Sequence, residues 1–330
     1  MMNTTNKKPG IKKHMKKLIA GAALAGVLVG LTACSNEQKS ADKDTVKIGI
    51  LQLLDQSALN DAREGFEAGL KEAGYSGDKV KIDFLNAQGD QSNLRSMSER
   101  LKKDKNDLNL AIATPAAQTL QKVDPDTPML FTAITDPKSA GLVNTPKKPD
   151  MKATGVTDMV DVQGQIDLLH QIFPKAKKVG LFYNAGEPNS VFQIKIARKE
   201  LKKLGLTVVE KTAATTNDVE QAVTALAHQV DAIYIPTDNI AAAAMPTIGK
   251  VSEKVKTPVI NADATMIKYA GVATRGISYK ELGKQTAKMA VKILKGKKID
   301  QLPVEAPAKT ELMTSTKRMK LFGITEDMLK

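Results

Sequence analysis

Val46-Lys47-Ile48-Gly49-Ile50-Leu51-Gln52-Leu53-Leu54 runs into Asp55-Gln56-Ser57, and this junction decides how the rest of the chain is read. The run is almost wholly apolar, as a strand buried on both faces is. It stops at short polar residues of the kind that begin a helix. The junction recurs downstream. Apolar runs at 80–85, 108–113 and 129–134 end in Asn86-Ala87-Gln88-Gly89-Asp90, Thr114-Pro115 and Thr135-Asp136-Pro137. After one interruption the runs resume at 179–183, 206–209, 232–235 and 258–260. Their polar ends are Tyr183-Asn184, Thr237-Asp238-Asn239, and Asn261 with Asp263. Helix-length segments lie between them. Ile166, Leu169, Ile172 and Phe173 share one helical face, and so do Leu282, Met289 and Ile293. Strands alternating with helices predict parallel sheets with right-handed crossovers.

The interruption spans 136–158 and holds Pro137, Pro146, Pro149 and Lys147-Lys148, with a short strand at 153–156. It reads as a crossover between two similar lobes. A second crossover is expected near 274–278, before a helix at 279–294, and a third in the last thirty residues. The expected fold is α/β: two doubly wound parallel-sheet lobes joined by a three-crossover hinge. Lobe one would take 46–157 plus 277–300, and lobe two 158–276 plus 301–330.

Residues 1–17 hold six lysines and no acid, and 18–33 form an uncharged, mostly apolar run ending in Leu31-Thr32-Ala33-Cys34. That order predicts a secretory signal over 1–33. The run is short for a membrane span, which needs about 20 apolar residues. Its ending resembles the lipobox of bacterial lipoproteins. The resemblance implies a diacylglycerol on Cys34, the only cysteine, and cleavage that makes it the N-terminus. Residues 34–45 would then be a flexible tether, and the protein would sit lipid-anchored on the outer face of the cytoplasmic membrane. Lysine-rich composition leans towards a Gram-positive cell. The formal charge is +13; without the six signal lysines, 43 basic residues face 36 acidic ones. That spread-out excess favours proximity to anionic lipid or wall polymer, and no basic helix points to nucleic acid.

In an open parallel sheet the ligand binds outside the carboxyl ends of the strands. Here those ends carry hydroxyls, amides and a few aspartates. Helix capping accounts for each position singly. Binding is compatible with it, because a helix N-terminus offers free N–H groups and partial positive charge to a carboxylate. Of six arginines only Arg275 lies near a strand end or crossover, which disfavours phosphate or dicarboxylate. One carboxylate site and one aspartate suit an α-amino acid zwitterion. Enzyme chemistry lacks its parts. His170 and His228 sit at helix ends, and no nucleophile elbow or phosphate loop is present. Asp55, Asp90, Asp136, Asp158, Asp238 and Asp263 match no calcium-loop spacing. Neither a metal nor another cofactor is expected.

Several strings together resemble one family: Ile48-Gly49-Ile50-Leu51-Gln52, Asn86 to Asp90, Ala113-Thr114-Pro115-Ala116-Ala117-Gln118 and Thr135-Asp136-Pro137 with Ala140-Gly141-Leu142-Val143. Gly155-Val156-Thr157-Asp158, Tyr183-Asn184 with Glu187 and Asn189-Ser190, Pro236 with Asp238-Asn239, and Leu282-Gly283 extend the match. They resemble the ABC-transporter substrate-binding lipoproteins of the tryptophan or aromatic amino acid type. The resemblance implies a type I periplasmic-binding-protein fold that closes on its ligand and delivers it to a permease driven by an ATPase. It implies that Thr114 and the amides around Ala116 and Ala117 hold a carboxylate, with Thr135 assisting. Asn189 and Ser190 would contact the ligand from lobe two, and Asp238 would pair with the ammonium beside Asn239. Gln52 and Gln88 would line the cleft floor, and Tyr183 would wall an apolar side chain. The chain departs from the family at Asp55 to Asn60 and at Arg275, which keeps open a nucleoside, sugar or other small polar metabolite.

Overall fold

β1 (Val46–Gln52) is the strand around which the first sheet is built, and every residue from Ile48 on is buried in it. It pairs in parallel with β2 (Val80–Asn86) on one side and β3 (Leu108–Ile112) on the other. With β4 (Met129–Ile134) and β5 (Ala153–Thr157) the sheet has the order β2-β1-β3-β4-β5. The order reverses between β1 and β3, which opens a crevice at their carboxyl ends. The helices of this half are α1 (Ser57–Glu72), α2 (Gln91–Asp104) and α3 (Thr114–Val123). This computed structural model describes residues 45–329; Cys34, the expected signal and the expected tether lie outside the described residues.

The second sheet repeats the pattern. It follows α4 (Val162–Ile172) and has the order β7-β6-β8-β9, all parallel. Its strands are β6 (Lys178–Tyr183), β7 (Thr207–Thr212), β8 (Ala232–Ile235) and β9 (Val259–Asn261). Helices α5 (Pro188–Lys203), α6 (Val219–Ala227), α7 (Asn239–Ala243) and α8 (Met245–Val255) connect them. The chain then forms β10 (Ala273–Gly276), α9 (Tyr279–Leu294), β11 (Glu311–Thr314) and α10 (Thr316–Leu321). The expected α/β architecture with parallel sheets is present.

Side chains gather into separate cores. Ile48, Leu110 and Phe131 pack with Leu282, Met289 and Leu302, so α9 returns to the first sheet. Ile166, Leu181 and Tyr234 pack with Met319, Ile324 and Leu329, so α10 returns to the second. The ends of α9 are written in the sequence. Ser278 accepts the Glu281 N–H at 3.3 Å, with Glu281 at the third helical position, the spacing of a capping box. At the other end Gly296 (φ 91°) takes the left-handed conformation, and the Lys297 N–H reaches the Lys292 carbonyl at 3.0 Å.

α9 lies against α1 with almost no gap. A methyl group on Gly283 would run into the Ala62 carbonyl, and one on Gly65 into the Lys280 carbonyl. Gly283→Ala is therefore expected to lower stability by about 2 kcal/mol or more, because helix backbone cannot move aside like a side chain. A thermal melt checks it; an unchanged midpoint would mean that the two helices can separate freely.

Two elements differ from expectation. β7 runs on through Thr212 rather than ending at 209, because it is an edge strand with a polar, half-buried outer part. β11 pairs antiparallel with β10. Its residues are mostly exposed, so it carries no apolar pattern to read. Upstream of it, Glu305 forms a parallel bridge to Val156 beside β5. Three segments thus run between the two halves: the one after β5, the one through β10, and the one from Glu305 to β11.

Candidate functional site

The carboxyl ends of β3, β4, β6 and β8 bring the candidate residues together. α3 begins at Thr114 immediately after β3, and its N-cap is Ala113, which has no side chain to offer. Ala113 itself is held at φ 82° and ψ 151°. Only glycine adopts that region readily, and holding an alanine there costs about 1–3 kcal/mol. The result is an uncapped helix start with outward N–H groups. The Thr114 hydroxyl beside it is buried without a hydrogen-bond partner.

Across from it, α5 begins at Pro188 after β6, and α3 and α5 touch. The N-cap of α5 is Glu187, a residue whose side chain is too long for ordinary capping, and it makes no cap hydrogen bond. Its carboxylate is turned inward and buried. Oε2 accepts from Asn189 Nδ2 at 3.1 Å, Asn239 Nδ2 at 2.6 Å and the Asn239 N–H at 3.2 Å. Oε1 has only Asn184 Nδ2 at 3.5 Å.

Asp238, the expected ammonium partner, is in the same cluster, but its oxygens are occupied. Oδ1 caps α7 through the Ala241 N–H at 2.8 Å. Oδ2 accepts the Asn184 N–H at 2.6 Å and the Ser190 hydroxyl at 2.7 Å. Burial, then the charge of Asp238, pushes the Glu187 carboxyl up to about 7. Burial likewise raises Asp238. Among the described residues no lysine, arginine or histidine pairs with either acid.

A second network crosses between the sheets. The Thr237 N–H donates to Gln193 Oε1 at 3.2 Å, and Gln193 Nε2 donates to Thr135 Oγ1 at 3.0 Å. Thr135 donates to Asp158 Oδ1 at 3.2 Å, and the Tyr279 hydroxyl donates to Oδ2 at 3.1 Å. Gln56 Nε2 reaches Asn239 Oδ1 at 3.4 Å and adds another bond from the first half to the second. Burial pushes Asp158 up to about 6, and Asp263 likewise.

Of the residues expected from sequence, Gln52, Thr114, Ala116, Thr135, Asn189, Ser190, Asp238 and Asn239 are buried at these strand ends. Gln52 donates its amide to the Leu54 carbonyl at 2.9 Å and to Asn60 Oδ1 at 2.7 Å, which leaves Oε1 unpaired. Asn189 Oδ1 is unpaired as well.

Three of the expected residues are placed differently from the rest. The Ala117 N–H is already committed to the Ala113 carbonyl at 3.1 Å, within the helix ladder. Gln88 lies exposed on a left-handed turn (φ 55°). Tyr183 donates to Glu210 Oε2 at 3.0 Å, where Arg198 also pairs, so its hydroxyl is tied to the outer strand and α5. Arg275 is exposed in β10. Sequence reasoning passed over Glu187, Gln193 and Tyr279 as site residues. The one legible signal was a glutamate directly before a helix-starting proline, where Ser, Thr, Asp or Asn would cap better. An open groove of about 810 Å³ between α1 and the Ala264–Lys268 segment shares only Asn60 with these networks.

Residues 47–329 match the family described as ABC transporter substrate binding protein. The chain is 36% identical over 320 residues to a tyrosine-binding protein of Clostridioides difficile strain R20291, covering 95% of this chain and 93% of the relative. The structure superposes with a TM-score of 0.83 on an ABC domain in complex with L-Trp from Streptococcus pneumoniae, at 37% identity over 86% of this chain and 97% of that one. Its TM-score is 0.66 against the ligand-free, open structure of a substrate-binding protein with adhesive properties from Clostridium difficile. That pair is 38% identical, covering 85% of this chain and 96% of the other. The hydrogen bonds from Gln193 to Thr135 and from Gln56 to Asn239 join the strand ends of the two sheets in the present structure.

Proposed function

The chain belongs to the ABC transporter substrate-binding protein family, and on that premise we propose that it takes an aromatic α-amino acid between its lobes and hands it to an importer. The observation that carries this reading is the Glu187–Asp238 pair: two carboxylates buried together without a cation among the described residues. A buried charge needs a partner, and an ammonium group brought by the ligand supplies one. Glu187 Oε1, Asn189 Oδ1 and Gln52 Oε1 would accept from it. The ligand carboxylate would lie on the uncapped start of α3, against the Thr114 hydroxyl and the Ala116 amide. Ser190, Asn239 and Thr135 would hold these groups in place, and Asp238 would fix α7 and the Asn184 backbone. An aromatic side chain is the reading because the similar proteins named above are a tyrosine-binding protein and an L-Trp complex.

The rest of the assignment follows the same premise. The lobes would be 46–157 with 277–300 and 158–276 with 301–330. The protein would act as a carrier and not an enzyme, without metal or cofactor, and its partners would be a membrane permease and the permease's ATPase. Cys34 would carry the lipid that holds it on the outer face of the cytoplasmic membrane. Calorimetric titration with the L-amino acids, after refolding to strip carried ligand, tests the ligand. Saturable binding of tyrosine, tryptophan or phenylalanine is expected. A folded protein that ignores every amino acid but binds a nucleoside or sugar would overturn the reading.

A further inference from the structure

The far end of the first sheet, opposite the ligand site, is a lysine surface. β1 enters there, and its register sets Lys47 beside Lys81 of β2. Thr45, Val46 and Lys47 line a hollow of about 440 Å³ with Lys105, Asp107 and the last residues of α9, Ile293 and Leu294. The left-handed turn after α9 then presents Lys295, Lys297 and Lys298. All six lysines are exposed, and among the described residues none makes an ion pair. Acids at this end are few and mostly engaged. Asp104 pairs with Arg100 at 3.8 Å, and Asp107 accepts the Lys47 N–H at 2.8 Å. Asp78 and Asp300 add to them.

We propose that this end of the first lobe is a docking surface for an anionic phospholipid membrane. The inference rests on the lipid-anchor reading for where the surface is held. Residues 34–44 would join Cys34 to the strand that opens this face. A chain of that length cannot span more than about 40 Å even when fully extended. That span lets the lysines reach the headgroups, where their attraction acts within about one Debye length, roughly 8 Å at physiological salt. Each lysine close to an anionic surface strengthens partitioning about fivefold. The lobe would stand on its strand N-termini with the ligand site turned away from the lipid, free to collect ligand, and would leave this surface to meet the permease.

Vesicle sedimentation tests the surface without the anchor. A chain starting at Ser35 keeps every described strand and helix, and its ligand binding reports its fold. It is expected to bind vesicles containing phosphatidylglycerol, to ignore vesicles of phosphatidylcholine alone, and to be released by molar salt. Replacing Lys295, Lys297 and Lys298 together by alanine should weaken partitioning about a hundredfold. The same change at Lys175, Lys177 and Lys178, exposed lysines at the start of the second sheet, should leave it nearly intact. Equal losses from both triple variants, or equal binding to both vesicles, would overturn the proposal. So would tighter binding to soluble polyphosphate than to vesicles, which would make the partner an anionic polymer. Mass spectrometry of the Cys34 peptide from membrane-extracted protein checks the anchor independently. Missing lipid there with intact vesicle binding would remove the anchor and leave the surface standing.

Discussion

Glu187→Gln is expected to remove tight amino acid binding and to leave the protein folded. The substitution keeps the side-chain shape and an acceptor oxygen for Asn189 and Asn239, but it deletes the charge that an ammonium would answer. Truncating one partner of a buried, hydrogen-bonded charge pair costs about 2–5 kcal/mol, which corresponds to a loss of about a hundredfold or more in affinity. Folding stability should hold or rise, because the variant no longer has two carboxylates burying charge side by side. Asp238→Asn separates the two roles. Its oxygens are spent on the Ala241 and Asn184 N–H groups and the Ser190 hydroxyl, so that variant should lose stability along with affinity. Paired calorimetry and thermal melts measure both. A Glu187→Gln protein that binds as tightly as before would take the ammonium away from this site.

The unliganded protein is expected to lose stability as pH rises from about 4 to about 7, and ligand is expected to offset the share that Glu187 contributes. Glu187 is pushed up to about 7, and Asp158 and Asp263 to about 6, in each case by burial first. Unfolded, these groups titrate near 4. A group whose folded pKa lies above its unfolded one stabilises the native state by holding its proton. That contribution is complete below about pH 4 and is gone once pH has passed the folded value. A shift of about two units is worth on the order of 3 kcal/mol for each fully buried acid. Glu210 and Asp231 act in the opposite sense. The first is lowered by Arg198, the second by the backbone N–H groups of Lys178 and Lys177, and their window lies below about 4. An ammonium beside Glu187 favours its ionised form. The melting point gained on adding ligand should therefore grow between pH 5 and pH 8. Parallel curves with and without ligand would show that Glu187 keeps its protonation on binding.

Local signals made much of this legible. Buried parallel strands are continuous in apolar residues, so β3 and β4 could be read directly. Ser278, Glu281 and Gly296 act within one turn of their own positions, so α9 could be bounded from sequence. The candidate site was legible where backbone ends are concerned, because Thr114, Ser190 and Asp238 stand where strands finish. It was not legible where a side chain's direction decides. Tyr183 and Gln88 occupy strand ends too, yet one hydroxyl is drawn to Glu210 and the other residue turns out into solvent. Glu187 turns inward because Asn189 and Asn239 offer it donors from separate elements, and no pattern along the chain displays that meeting. Ala113 looks like an ordinary strand residue, and its strained backbone exists only because β3 and α3 meet there.

The return of α9 to the first core fixes when the molecule can become itself. Leu282 and Met289 fill a space among Ile48, Leu110 and Phe131, more than two hundred positions behind Ile48 on the chain. Likewise, the second core waits for Met319, Ile324 and Leu329. A nascent chain emerges from its N-terminus, and domains normally condense as soon as their last piece appears. Here neither half has its last piece until nearly the whole polypeptide has been made. A chain cut short before α9 is therefore expected to leave both cores unfilled, and to be cleared by proteases rather than to yield one working lobe.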